Sequence, residues 1–349
     1  MISSPSTDFP ASERLRSLQR SVKILVSALA VLLLTSGTRV SAKTAELSET
    51  QLKGRLADPA SGLPAMVALI EKSMISGEMW PVEDLIDQKA ILDRATEGLQ
   101  ISGAATMKDL FCDSTTQSWQ QNGLTKDFAG TNFRFLRVRT FNGRAGLLFR
   151  SAGENNALNF FSFTINEISP KTYRITDIFT MGLNEFTSQT LHRTYVQLAA
   201  SLLGNEGRAL TKDNGAFVDS LEQVAAISQM LKTGQWKEVL DATAALPAAV
   251  QTDRSVLLIR LEAAENYSVS SRAEVLEDWL KAYPDEMQLP LKLADHYLTQ
   301  ERWDDAERVV TRLLDLTGGD ARLQLQLGNI NYRRERDKRL MQTAASRNK

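Results

Sequence analysis

The sequence predicts an α+β domain, helices plus a four-stranded antiparallel meander, followed by an all-α domain of repeated helix pairs. Three observations predict it. Apolar residues recur at helical spacing from Glu49 to about Leu124. The chain then turns abruptly rich in aromatic and β-branched residues, with Asn142-Gly143 set between two such runs. Beyond Phe217 it is helical again, and a large-then-small residue pair returns after 34 positions.

The N-terminus comes first. Arg14, Arg16, Arg20 and Lys23 precede an apolar run from Ile24 to Leu34, and Val40-Ser41-Ala42 follows. A basic region, a short apolar region and a small-x-small site predict a signal peptide over 1–42, with a retained anchor as the alternative. The run is shorter than the ~20 residues that span a bilayer. The expectation is an exported chain, periplasmic or secreted, with no stable membrane span after cleavage. Five of the 41 basic and two of the 42 acidic residues fall in this leader, leaving 36 against 40. That mildly acidic balance argues against nucleic acid as a partner, which needs a basic face.

The domain over 43–203 opens with helices. Leu63, Met66, Val67, Leu69 and Ile70 form one stripe. Trp80-Pro81 opens a second segment striped by Leu85, Ile86, Ile91 and Leu92. A third carries Met107, Leu110, Phe111 and Trp119, and Cys112, the only cysteine, lies in it. One cysteine excludes an internal disulfide and predicts a small buried hydrophobe.

The strands follow. TNFRFLRVRTF and RAGLLFR flank Asn142-Gly143, the strongest short hairpin signal, because both turn positions take positive φ. ALNFFSFTINEI and YRITDIFTM follow polar turns. Strict alternation puts Tyr173, Ile175, Asp177, Phe179 and Met181 on one face of the fourth strand. A closing helix, capped by Asn184, carries Phe186, Leu191, Tyr195, Leu198 and Leu202 on one side.

Helices followed by a curled, aromatic-rich antiparallel sheet resemble the nuclear-transport-factor-two-like, or cystatin-like, cone fold, across about residues 65–203. That resemblance implies a pocket within the cone. Asp177 is the polar exception on its face, and with Tyr173 and His192 it is the candidate pocket set. A buried carboxylate there acts as an acid or base; the bland alternative pairs it with Arg174 or Arg137. Asn159 and Asn166 are further polar candidates.

Residues 204–217, with three glycines and mixed charge, predict a linker. The helical repeat occupies 218–340, and 341–349 is expected to be a disordered tail. In the best unit, LKLADHYL is followed by QERWDDAERVV. Leu327-Gly328 stands 34 residues beyond Leu293-Ala294, and Pro284 stands 34 before Gly318. Further back, Gly234 and Trp236 occupy the places of Glu301 and Trp303. Small residues at Ala294, Ala306 and Gly328 let helices approach closely. The period and these positions resemble the tetratricopeptide repeat. The lone last helix caps the stack, and its basic run YRRERDKR forms a solvated face.

The tetratricopeptide resemblance implies a partner-binding groove lined by the first helix of each pair. Its positions here are Gln288, Leu291, Asp295 and Leu298, then Arg322, Leu325, Asn329 and Tyr332. No zinc-protease, paired-cysteine, phosphate-loop, nucleophile-elbow or dinucleotide motif is present. With two His and one Cys, no metal site and no cofactor are expected. His296 is expected to be a partly exposed helix residue. The implied role is a non-enzymatic scaffold or adaptor of a bacterial-type cell envelope that binds a protein or peptide. The alternative is a small-molecule or lipid carrier, or an isomerase-like enzyme, using the α+β pocket.

Overall fold

The structure, a computed structural model, describes residues 46–97, 104–122, 132–152, 158–202, 215–283 and 289–347. The expected leader, Pro284, Gln288 and most of the expected linker lie outside the described residues.

The first helices form where the sequence supplies caps. In α1 (Glu49–Ala57), Ser48 and Gln51 bond each other's backbone N–H groups, a reciprocal capping box. Helix α2 (Leu63–Ser76) has Pro64 in its first turn and ends at Gly77, whose φ is 78°. It buries Leu63, Met66, Val67 and Ile70, while Leu69 of the expected stripe faces outward. The segment after Trp80 divides into two helices. One turn, α3 (Trp80–Glu83), is followed by a bridge from Ile86 to Ile175. Asp87 then caps α4 (Gln88–Ala95) through the N–H of Ala90. Helix α5 spans Ala104–Asn122 and buries Met107, Phe111 and Trp119.

Among the described residues five strands follow as an antiparallel meander: β1 (Arg134–Phe141), β2 (Arg144–Ala152), β3 (Leu158–Ser169), β4 (Thr172–Thr180) and β5 (Glu185–Phe186). Four were expected; the fifth, two residues long, pairs with the end of β4. Asn142 and Gly143 both take positive φ, 48° and 79°, as the hairpin requires. Asn184 also takes positive φ, 53°, and sits in the turn before β5, so it does not cap the helix. The closing helix α6 (Thr187–Leu202) starts after Phe186, whose N–H donates to Gln189 Oε1.

The alternation expected on β4 is broken. Thr164 pairs with Asp177 and Ile165 with Ile175, so Thr176 is an extra residue, a β-bulge. One inserted residue reverses which face the following side chains meet. Tyr173 and Ile175 therefore lie with the first core, while Phe179 and Met181 lie with the second.

Those two cores are the two faces of the sheet. On the inner face Phe133, Phe149, Phe161 and Phe163 pack with Ile70, Ile91, Phe111 and Tyr195 of the flanking helices. On the outer face Phe141, Leu148, Phe160, Phe179 and Phe186 form one cluster with Ala306, Val310, Leu313, Leu323 and Ile330 of the C-terminal helices. The sheet is a middle layer between two helical layers, and β2 is buried on both sides from Gly146 onward.

The C-terminal region consists of α7 (Gly215–Asp219), α8 (Leu221–Lys232), α9 (Trp236–Ala244), α10 (Ala248–Gln251), α11 (Arg254–Tyr267), α12 (Val269–Ala282), α13 (Leu289–Thr299), α14 (Trp303–Thr317) and α15 (Ala321–Arg347). Helix α15 is unbroken through Arg347, where a disordered tail was expected from residue 341. The two Trp-bearing turns share a backbone geometry. Gly234 and Glu301 both take positive φ, 74° and 56°. Gln235 N–H donates to Met230 O as Arg302 N–H donates to Tyr297 O. Ala294 and Ala306 are buried as close-approach positions should be. Gly328 is not one: a Cβ there meets nothing within 4 Å among the described residues. His296, expected to be partly exposed, is 4% exposed and buried.

Candidate functional site

Of the tetratricopeptide-derived groove positions, Gln288 and the side chains of Leu291 and Asp295 lie outside the described residues. Leu298 on α13 is half-buried against the outer-face core. On α15, Leu323 and Ile330 turn into that core while Leu325 and Tyr332 are 66% and 70% exposed. Asn329 is exposed with them, and Arg322 is half-buried. Leu325, Asn329 and Tyr332 follow i, i+4, i+7 spacing, so they form one stripe opposite the buried one. The basic run beyond Tyr332 is largely paired: Arg334 bonds Asp304 and Glu307, and Asp337 accepts from Trp303 Nε1 at 3.0 Å.

Asp177 is fully buried, and its partners are not those the sequence suggested. Arg144 Nη1 lies 2.8 Å from its Oδ2, and Arg94 Nη1 lies 3.9 Å away. Ser188 donates from both its N–H and its hydroxyl, at 3.1 and 2.5 Å. Ser188 is in the first turn of α6, so Asp177 supplies the negative charge that a helix N-terminus favours. Glu46 completes the cluster by accepting from Arg94 and Arg144 at 2.6 and 2.7 Å. Two carboxylates meet two guanidiniums, and Arg144 also lies 4.0 Å above the Phe186 ring. With its oxygens so occupied, Asp177 is a tether between β4, β2 and α6. Arg174 does not pair with it, and Arg137 instead donates to the carbonyls of Gly318 and Gly319.

Tyr173 is buried and donates to the carbonyl of Ser61 at 3.1 Å, on the inner face and away from Asp177. Burial raises its phenol above the ordinary range. Asn159 accepts from Phe160 N–H, and Asn166 is buried on β3. The inner face where the cone resemblance places a pocket is occupied by phenylalanine rings.

An open cleft of about 670 Å³ lies elsewhere, over the buried charge cluster. Arg94 and Glu97 reach it from α4, Asn142 from the first hairpin, Asn184 and Glu185 from the last turn and strand. Ser188, Gln189, His192 and Arg193 come from α6, and Arg254 from the start of α11. Of the candidate pocket set, His192 alone lines it. Its Nδ1 lies 2.9 Å from the carbonyl of Ala95. A carbonyl only accepts, so Nδ1 carries a proton, and in the neutral ring Nε2 is the acceptor. Arg193 holds Glu185 with both terminal nitrogens, Nη2 at 2.9 Å, and the Thr190 hydroxyl bonds the same carboxylate.

No family model, curated protein or solved structure matches the chain. What remains is the chemistry of its own residues. Among the described residues no cluster of His, Cys, Asp and Glu has the form of a metal site. No described helix is long and apolar enough to cross a membrane. Cys112 is half-buried on α5, and burial pushes its thiol up to about 11, opposite to a nucleophile's requirement.

The cleft drew few signals from the sequence. His192 was legible as a lone histidine on a predicted helix. Arg94, Arg193 and Arg254 were not, because scattered arginines look like ordinary surface until the fold gathers them.

Proposed function

We propose that this chain is an exported, non-enzymatic protein-interaction protein of a bacterial-type cell envelope, a scaffold or adaptor whose C-terminal helices form a tetratricopeptide-like partner surface. Two features support the repeat reading: the shared geometry of the Gly234 and Glu301 turns, and the successive packing of α13, α14 and α15. The observation that carries the functional reading is the stripe of Leu325, Asn329 and Tyr332, exposed on a helix whose other side is pinned to the sheet. A rigid helix face offering leucine, amide and tyrosine suits an extended peptide, with Tyr332 as the anchor.

The test compares capture of envelope proteins by the full chain and by a Leu325→Ala, Asn329→Ala, Tyr332→Ala variant. These side chains are exposed, so melting should be unchanged. The reading predicts loss of the captured partner, by roughly 10-fold or more if Tyr332 is an anchor. Equal capture by both chains contradicts it.

A second reading, small-molecule binding, is favoured by one observation. The polar cleft at α6 and α11 has the volume of a metabolite site, within the ~300–1,000 Å³ such sites span.

A further inference from the structure

We propose that the exposed face of α15 takes an acidic partner, a segment of another protein that carries aliphatic side chains among carboxylates. This rests on the partner reading above and adds the charge of what is bound. The stripe runs further than Tyr332. Arg336 and Leu340 follow Leu325 by eleven and fifteen residues, which returns both to the same side of a helix. Leu340 is 61% exposed, close to Leu325 and Tyr332. Leu325, Tyr332 and Leu340 span about 22 Å of one face at the rise of an α-helix.

Charge on this helix is lopsided. Between Ala321 and Arg347 stand seven Arg or Lys against two carboxylates, Glu335 and Asp337. Helical spacing sets those carboxylates to either side of the stripe, where Glu335 bonds Lys338 and Asp337 bonds Trp303 and Arg336. Arg334 lies on the opposite side, against Asp304 and Glu307 of α14. Arg333, Arg336 and Arg339 are exposed at the stripe and beside it. Bonds among neighbours orient these groups without cancelling their sum. With Arg334 set aside, Arg333, Arg336, Lys338 and Arg339 face two carboxylates, so the face keeps an excess of positive charge.

That excess selects the occupant. A second copy would bring two positive faces together, which like charge opposes. An anionic membrane surface wants a broad apolar face, whereas here each apolar side chain stands about two turns from the next, with Asn329 and Arg336 between. A segment with aliphatic side chains for Leu325, Tyr332 and Leu340, and carboxylates for the arginines, meets both features.

The probe is a short fluorescein-labelled peptide of Glu-Glu-Leu repeats, titrated into the full chain at low ionic strength and read by anisotropy. Its counterpart has Gln for every Glu. The Glu probe should bind roughly tenfold tighter, the scale of one charge-assisted pair, and salt should close the gap. The double variant Arg333→Gln, Arg336→Gln should lose that preference and keep its affinity for the Gln probe, a selective loss that misfolding does not produce. The Leu325→Ala, Asn329→Ala, Tyr332→Ala variant should weaken both probes. Equal affinity of the parent chain for the two probes overturns the acidic partner; the partner reading itself then stands or falls on capture from the envelope. Binding to phosphatidylglycerol vesicles with neither peptide bound also overturns it, in favour of a membrane surface.

Discussion

Asp320 joins the two halves of the chain with two oxygens. Oδ1 accepts from the N–H groups of Arg322 and Leu323, capping α15, and Oδ2 lies 2.6 Å from Arg150 Nη1 on β2. Both partners are buried, so removing one strands the other. Asp320→Ala should cost about 3 kcal/mol or more in urea unfolding, the scale of a broken buried pair. His296 makes a pH prediction. Burial, then Arg272 and Arg302, lower its pKa from 6.5, against an opposing influence from Glu277. The unfolded chain therefore takes up a proton near pH 6.5 that the folded chain refuses, so stability falls as pH drops below that value. Melting temperature should decline from pH 7 to 5, and His296→Gln should flatten that decline. For Cys112, a thiol near 11 predicts alkylation at pH 8 at least roughly 100-fold slower than a free cysteine, measured by intact mass.

At the scale of elements, the two Trp-bearing turns share a left-handed residue with unequal sequences. Gly234 suits its φ of 74°, whereas Glu301 carries a side chain at 56°. Glu301→Gly should stabilise, and Gly234→Ala destabilise, by about 1 kcal/mol each in paired denaturation curves. Equal and opposite shifts would identify the turns as copies of one unit. The sequence made much of this legible. Helical stripes, the Asn142-Gly143 hairpin and the Trp-bearing turns all announce themselves through local chemistry. The β4 alternation did not survive, because one inserted residue at Thr176 reverses every later side chain and leaves no local mark. The fifth strand was equally invisible: two residues cannot show a period.

The molecule as a whole differs from a sheet domain linked to a separate helical array. Strand β1 sends Arg137 and Arg139 to the carbonyls of Asp315, Leu316, Gly318 and Gly319 at the end of α14. These carbonyls lie at the helix C-terminus, where the last groups lack N–H partners from a following turn; Asp315 O also accepts from the Gly318 N–H, and the positive groups suit the dipole. The outer face of the sheet and helices α13 to α15 share one apolar core. A signal for this was present. Leu147-Leu148 and Phe160-Phe161 are adjacent apolar pairs, and in a strand adjacent residues face opposite ways, so both faces must be covered. What no local pattern supplies is the identity of the cover. The Asp177 cluster and the cleft above it failed to show for the same reason: their members come together only after distant segments pack.

That shared core is the central claim, since it makes the exposed stripe of α15 a rigid surface instead of a tethered helix. Hydrogen exchange on the parent chain and on Asp320→Ala tests it most directly, read at the amides of β2, β3 and α14. The account predicts that all three lose protection together in the variant, because they open as one cooperative unit. Loss of protection in α14 with β2 and β3 still protected would contradict it.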